Sequence, residues 1–338
     1  MKEGIKGKAM KTNFYTKLLS VSSAVIAIAL AFQLFTYSAV PGKNLDDDAV
    51  PSKGQYAIFS LDIPSSMNFA GETVPLNRTD VQESLDRELL VNTYWQSQTI
   101  LFIKRANRYF PIIEPILKEH GVPDDFKYLS LIESSFMPRA KSPAGAVGLW
   151  QFMKATGREY GLEVSKEVDE RYHVEKATHA ACKFLKKAYN RHGSWTLAAA
   201  SYNAGQSGIS NQLSRQKTDN YYDLLLGEET GRYIYRILAI KEILSSPDNY
   251  GFHVAQQDKY PPHKTHDFAV KGAVKSFAVF AEEHHISYKE LKDLNPWLRQ
   301  NYLTNTQNKT YIIKLPGEEV VVSDNEVVSA DSIVVDQP

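Results

Sequence analysis

The sequence has a single cysteine, Cys182, among 338 residues, which excludes an intrachain disulfide framework and any cysteine-rich zinc site. It has no excess of charge of either sign. With 39 basic against 39 acidic residues, it has no overall positive field of the kind that holds nucleic acid, so no nucleic-acid partner is expected. At 43% hydrophobic and 23% charged residues, it is neither a wholly disordered chain nor one embedded throughout in a membrane. The length suits about two domains with a sizeable core.

One long uncharged stretch is present, at the N-terminus. Lys2, Lys6, Lys8, Lys11 and Lys17 precede a 23-residue run, Leu18 to Val40, whose centre reads AVIAIALAF. Basic then apolar is an export pattern, and the run is long enough to span a bilayer as a helix with its lysines left in the cytoplasm. Thr36, Ser38 and Ala39 are small enough to permit cleavage. A signal peptide and a retained anchor over residues 1–40 are both compatible with this, and either predicts an exported protein of the periplasm or cell envelope. The zero net charge is a sum of separated parts: residues 1–17 carry +4, residues 317–338 carry −6 and the remainder +2.

Residues 41–80 read as a linker, with Pro41, Gly42, Asp46 to Asp48, Pro51, Gly54, Pro64 and Gly71 and no sustained period. From Asp80 the spacing turns helical. Val81, Leu85 and Leu89 share a face, a helix from Tyr94 is expected to stop before Pro111, and a further segment runs from Ile112 to Gly121. Pro123, Asp124 and Asp125 open a helix ending near Pro138. Later helices are expected over Trp150–Tyr160, Val174–His192, Trp195–Asn203 with Ser194 as N-cap, and Gly231–Leu244. No period-2 signal interrupts residues 81–246, so this block reads as all-α. A second linker, 247–265, contains Pro261 and Pro262. It leads to a strand (267–270), two helices (274–284, 288–294) and a strand (311–315), a βααβ module over 266–316. The acidic tail, 317–338, is too short for a core of its own.

Phe126, Leu129, Glu133 and Phe136 fall on one helical face, leaving Glu133 as a lone carboxylate in an apolar stripe. Burial disfavours its anion and raises its pKa, as a general acid at neutral pH requires. A bland alternative is a glutamate that reaches solvent or pairs with Arg139. Three segments downstream favour chemistry: ESSFMPRAKSPAGAVGLWQFM (133–153), SYNAG (201–205) and ETGRYIYRI (229–237). Ser142, Trp150 and Gln151 offer a hydroxyl, an aromatic plate and an amide, groups suited to pyranose sugars.

In these motifs, and in GETVPL and VDERYHVEKATHAA, the chain over roughly residues 70–246 resembles the lytic murein transglycosylases of the lysozyme-like superfamily, glycoside hydrolase family 23, and within it the membrane-bound D type. The resemblance implies a mainly α, goose-type or soluble-transglycosylase-like catalytic domain acting on peptidoglycan glycan strands. It implies that Glu133 is the only catalytic carboxylate, that Ser142 and Gln151 contact substrate, that Tyr202 and Asn203 line the cleft, and that Glu229 and Tyr233 belong to the last motif. It further implies cleavage between N-acetylmuramic acid and N-acetylglucosamine with closure of a 1,6-anhydro ring, without cofactor or metal. The module at 267–315 resembles a LysM domain in ISYKELKDLNPWLR and IIKLP, while GAVKSFAVFAEEH departs from the family's first half.

Asp169 and Glu170 could supply a second carboxylate to a hydrolase on the same fold; a salt bridge or cap is the plainer role for them. His263 with His266 and His284 with His285 lack a paired helical spacing for metal, and Cys182 reads as buried filler. A muramidase and a noncatalytic glycan-binding scaffold are the alternatives to a transglycosylase.

Overall fold

A computed structural model describes residues 58–317; the apolar run at 18–40, residues 41–57 and the tail from 318 lie outside them. Among the described residues no helix is long and apolar enough to cross a membrane. The first elements form a small antiparallel hairpin, β1 (Asn68–Phe69) and β2 (Glu72–Thr73). This corrects the linker reading of 41–80 in its second half. Met67, Phe69, Val74 and Leu76 are buried, Phe69 packs edge-on against Phe126, and Asp125 accepts a hydrogen bond from the Ala70 amide at 2.7 Å. Glu72 reaches further. Its carboxylate accepts from the Thr196 amide (2.9 Å) and the Ser194 hydroxyl (2.8 Å), satisfying free N–H groups at a helix start.

The helical block comprises α1 (Thr79–Tyr94), α2 (Gln96–Glu119), α3 (Phe126–Ser134), α4 (Lys154–Glu159), α5 (Val174–His192), α6 (Trp195–Ala204), α7 (Gln206–Gln216) and α8 (Glu228–Ser245). The mainly α class expected from the resemblance is borne out, with only isolated bridges in this block. Helix α6 is buried from Thr196 to Ser201 and packs against α5, α7 and α8, while α8 also packs on α1 and α3. Its start matches expectation, since Ser194 caps it by accepting from the Leu197 amide.

Two expected boundaries are corrected. Helix α2 runs unbroken through Pro111 and Pro115. Both prolines are exposed and lie four residues apart on one face. The carbonyls they deprive of partners therefore turn to water, while Tyr109, Ile113, Ile116 and Leu117 hold the buried face. The helix expected from Trp150 begins only at Lys154, because residues 138–153 form an ordered turn. Gly148 adopts φ +78°, and a Cβ there would sit 1.9 Å from the Arg171 carbonyl oxygen. Only glycine fits that approach.

Residues 247–265 are not a free linker. Tyr260 donates its amide to the Lys104 carbonyl (3.1 Å), and Asn107 and Arg108 donate to the Tyr260 and Pro261 carbonyls, so the segment follows α2. The module then contains β3 (Thr265–Lys271), α9 (Phe277–Glu283), α10 (Tyr288–Leu294) and β4 (Thr310–Pro316), with β3 and β4 antiparallel and His266 opposite Leu315. Buried Asn295 stitches α10 to β4. Its side-chain amide donates to the Leu291 and Lys314 carbonyls, and its oxygen accepts from the Lys314 amide. The module core includes Phe277, Leu291, Trp297 and Ile313 together with Val147, Val168 and Tyr172 of the helical block.

Candidate functional site

Glu133 sits at the last turn of α3, which ends because Ser135 and Phe136 both take left-handed backbone conformations, φ 54° and 51°. Such values are costly for a side chain as bulky as Phe136. Phe136 is nevertheless buried, against Tyr109 and Phe110. Ser135 is held on either side, its hydroxyl accepting from Gln98 (2.7 Å) and its carbonyl from Arg105 (2.9 Å). The next turn is bound back to α3, since Ser130 donates to the Leu149 carbonyl.

The Glu133 carboxylate accepts a short hydrogen bond from the Tyr233 hydroxyl. Burial pushes its pKa above the ordinary carboxylate range; the Tyr233 bond and the Arg236 charge pull the other way, and the Glu229 charge adds to the rise. Arg139, the partner a structural glutamate could have used, pairs instead with Asp293 at 2.9 Å. Tyr233 is buried, and its phenol is held far above its usual range by burial and by the Glu133 charge. It therefore stays a hydrogen-bond donor to Glu133.

Tyr202 stands close enough for the Glu133 charge to raise its phenol further, beyond the larger effect of burial. Its hydroxyl donates to the Trp150 carbonyl at 2.7 Å. Asn203 donates to Glu229 (2.9 Å) and accepts from Thr230 (2.8 Å), linking the end of α6 to the start of α8. Glu133, Tyr202, Asn203, Glu229 and Tyr233 thus gather around one region. Ser142 and Gln151 serve the turn. The Ser142 hydroxyl accepts from the Ala146 amide (3.0 Å), and Gln151 donates to the Gly148 carbonyl (2.8 Å).

Trp150 corrects the expectation of an aromatic plate. It is 0% exposed, and its indole N–H donates to Thr178 at 2.8 Å. A ring enclosed in the core has no face for a sugar. An exposed aromatic is found instead at Trp95, 61% exposed between α1 and α2, on a cleft of about 610 Å³ that Gln98, Ser135, Glu229, Arg232 and Arg236 also line. Arg236 was visible in principle, because Glu229, Tyr233 and Arg236 follow i, i+4, i+7 spacing on one helical face. Trp95 carries no such signal.

The competing carboxylates are engaged elsewhere. Asp169 pairs with Arg171 at 2.8 Å, both buried, and Glu170 pairs with Lys176 and accepts from the Glu163 amide. Cys182 is buried, and burial pushes its thiol up to about 12, so it is no nucleophile. The metal-ligating side chains that cluster among the described residues are Glu119, His120 and His179, none of which lines the cleft.

Comparison with known proteins matches residues 110–225 to the transglycosylase SLT domain and residues 266–319 to the soluble lytic transglycosylase C-terminal LysM-like domain. Over 184 residues the chain is 30% identical to membrane-bound lytic murein transglycosylase D of Escherichia coli K12, a match covering 53% of this chain and 40% of that protein. It is 31% identical over 136 residues to the peptidoglycan transglycosylase gp16 of phage T7, covering 39% of this chain and 10% of that one. Among solved structures, the lytic transglycosylase Slt of Pseudomonas aeruginosa matches with a TM-score of 0.36 and 20% identity over 55% of this chain and 36% of that one. The chain carries an SLT transglycosylase domain and a LysM-like C-terminal domain, is homologous to membrane-bound lytic murein transglycosylase D, and spans less than half of that relative's length.

Proposed function

We propose that the chain is a peptidoglycan lytic transglycosylase of the cell envelope, brought there by residues 1–40, with its catalytic domain in residues 81–246 and a glycan-binding module in 266–316. The observation that carries the proposal is the Glu133 carboxyl in an SLT domain: half-buried, raised in pKa by that burial, and oriented by Tyr233.

Such a group is protonated at higher pH than a solvated glutamate. In the proposed mechanism Glu133 donates its proton to the glycosidic oxygen between N-acetylmuramic acid and N-acetylglucosamine, and the bond to the muramoyl C1 breaks. The N-acetyl oxygen of the substrate stabilises the resulting sugar cation. Glu133, now a carboxylate, accepts the proton of the muramoyl 6-hydroxyl as that oxygen bonds to C1. The acid is regenerated, a 1,6-anhydro ring closes, and no water is consumed. Tyr233 stabilises the intermediate carboxylate by its hydrogen bond. Ser142, Gln151, Tyr202, Asn203 and Glu229 would shape and contact the glycan site, while Trp150 supports it from the core.

Ordinary glycosidases use two carboxylates. Asp169 and Glu170 are committed to ion pairs, which supports a mechanism resting on one. The specific observation on the side of hydrolysis is Glu229, whose charge Glu133 feels, although Glu229 is exposed and bonded to Asn203. Mass spectrometry of digested peptidoglycan separates the two. Products one water lighter at the muramoyl end are expected; reducing muramoyl ends would establish a muramidase, and intact glycan would leave a noncatalytic scaffold.

A further inference from the structure

We propose that Glu119, His120 and His179 form a zinc-binding site that pins the C-terminal end of α2 to α5. His120 Nε2 and His179 Nδ1 face each other at 2.8 Å, and a Glu119 carboxylate oxygen joins them so that all three ligand atoms lie within 4.8 Å of one another. Tetrahedral zinc, with bonds of about 2.0–2.1 Å, holds its ligand atoms about 3.3 Å apart. The imidazoles need to part by only about half an ångström to reach that spacing, and the exposed Glu119 side chain is free to swing in.

Two ring nitrogens in this position either share one proton or share one cation. The rings lie with centroids 5.1 Å apart and planes at 70°, and it is ring nitrogens that meet across the space between. Burial, the neighbouring His179 and the lysines Lys183 and Lys186 hold His120 below its usual range, with Glu119 opposing. The two lysines oppose a cation; Glu119 and the negative end of the α2 dipole favour one. Cys182 stays a buried thiol, outside the ligand set.

Two imidazoles and one carboxylate are a zinc donor set, with the fourth position left to water. The cluster lies at the far end of α2 from Gln98, about 30 Å along the helix at 1.5 Å per residue, so the metal takes no part in glycan cleavage. Its role is to join two helices whose ligands are 59 residues apart in sequence.

The test is calorimetric titration of the chelator-treated full chain with zinc chloride, beside Glu119→Gln and His179→Ala, with tetrahedral d–d absorption of bound cobalt as a second readout. One equivalent of zinc is expected in the parent chain and lost in His179→Ala, with a zinc-dependent rise in thermal midpoint that neither variant shows and peptidoglycan cleavage unaffected by chelation. Glu119→Gln alters an exposed side chain and keeps the fold, so it decides the matter if His179→Ala misfolds. No zinc uptake by the parent chain, or equal uptake and equal cobalt spectra in Glu119→Gln, would overturn the proposal in favour of a hydrogen-bonded histidine pair.

Discussion

Glu133→Gln separates catalysis from stability. Glutamine keeps an oxygen to accept the Tyr233 hydrogen bond and has nearly the same volume, so the helix end and its packing are retained. Its amide is neither acidic enough to protonate a glycosidic oxygen nor basic enough to accept the proton of a 6-hydroxyl. A positioned acid or base contributes about 10²–10⁴-fold, and in the proposed mechanism one carboxyl performs both transfers, so a loss of about 10³-fold or more is expected, equivalent to about 4 kcal/mol of barrier. Stability moves the other way. Because the folded pKa of Glu133 is raised, the folded chain keeps a proton that the unfolded chain has released. Stability therefore falls as pH rises from the ordinary glutamate value of 4.5 through the raised one. Glutamine removes that dependence, so the variant's thermal midpoint should equal the parent's at acid pH and exceed it increasingly through that window. Release of anhydro-muropeptides by chromatography with mass detection, and thermal unfolding across pH, give the two readouts. Activity within about tenfold of the parent would refute the assignment of the acid. A variant less stable at neutral pH would refute the account of its burial.

Tyr233→Phe removes the donor that lowers the Glu133 pKa, so the alkaline limb of the kcat/KM profile should move to higher pH; an unmoved limb means that the two groups are not coupled in solution. Trp150→Ala should cost about 3–5 kcal/mol by opening a core cavity, measured by denaturant unfolding, with oligosaccharide affinity preserved wherever the variant is folded. Full stability with lost affinity would restore Trp150 as a stacking plate.

Where local signals agreed, the sequence was legible. α5 and α6 could be placed closely because Ser194 reads as an N-cap and Ala177, Ala181, Phe184 and Ala188 mark a face. α7 was not foreseen: only Ile209 on it is buried, so no apolar period announces it. Pro111 was misleading because proline breaks a helix only when nothing else holds it, and burial of the opposite face is a tertiary fact. Glu133 stood out as a carboxylate in an apolar stripe, and its likeness to a known motif added the neighbours at 202, 229 and 233. Trp150 was misplaced because composition cannot tell an aromatic ring that faces a cleft from one that stands behind it. The Glu119, His120 and His179 cluster left no trace in spacing, since its two elements meet only through the packing of α2 on α5.

The docking of the C-terminal module also bears on the site. Val147 and Val168 belong to the module's core, so the module is a wall of the helical block rather than an appendage on a tether. The boundary is paired by charge: Lys309 with Glu163 and Lys314 with Glu175, each at 2.9 Å, and Arg139 with Asp293 in the opposite sense. Burial opposes the Glu175 anion, but His173 and Lys314 outweigh it and draw that carboxyl down to about 2. The Lys314–Glu175 pair therefore remains charged across the ordinary pH range. Arg299 lies over the Tyr172 ring, and its amide donates to the Glu167 carbonyl. Val147 is one residue from Gly148, whose turn carries Trp150 and Gln151 and is tied through Ser130 to the Glu133 helix. The same apolar contact that buries the module therefore fixes one side of the turn beside Glu133, and a module held this way constrains the proposed glycan site through packing whether or not it touches sugar itself.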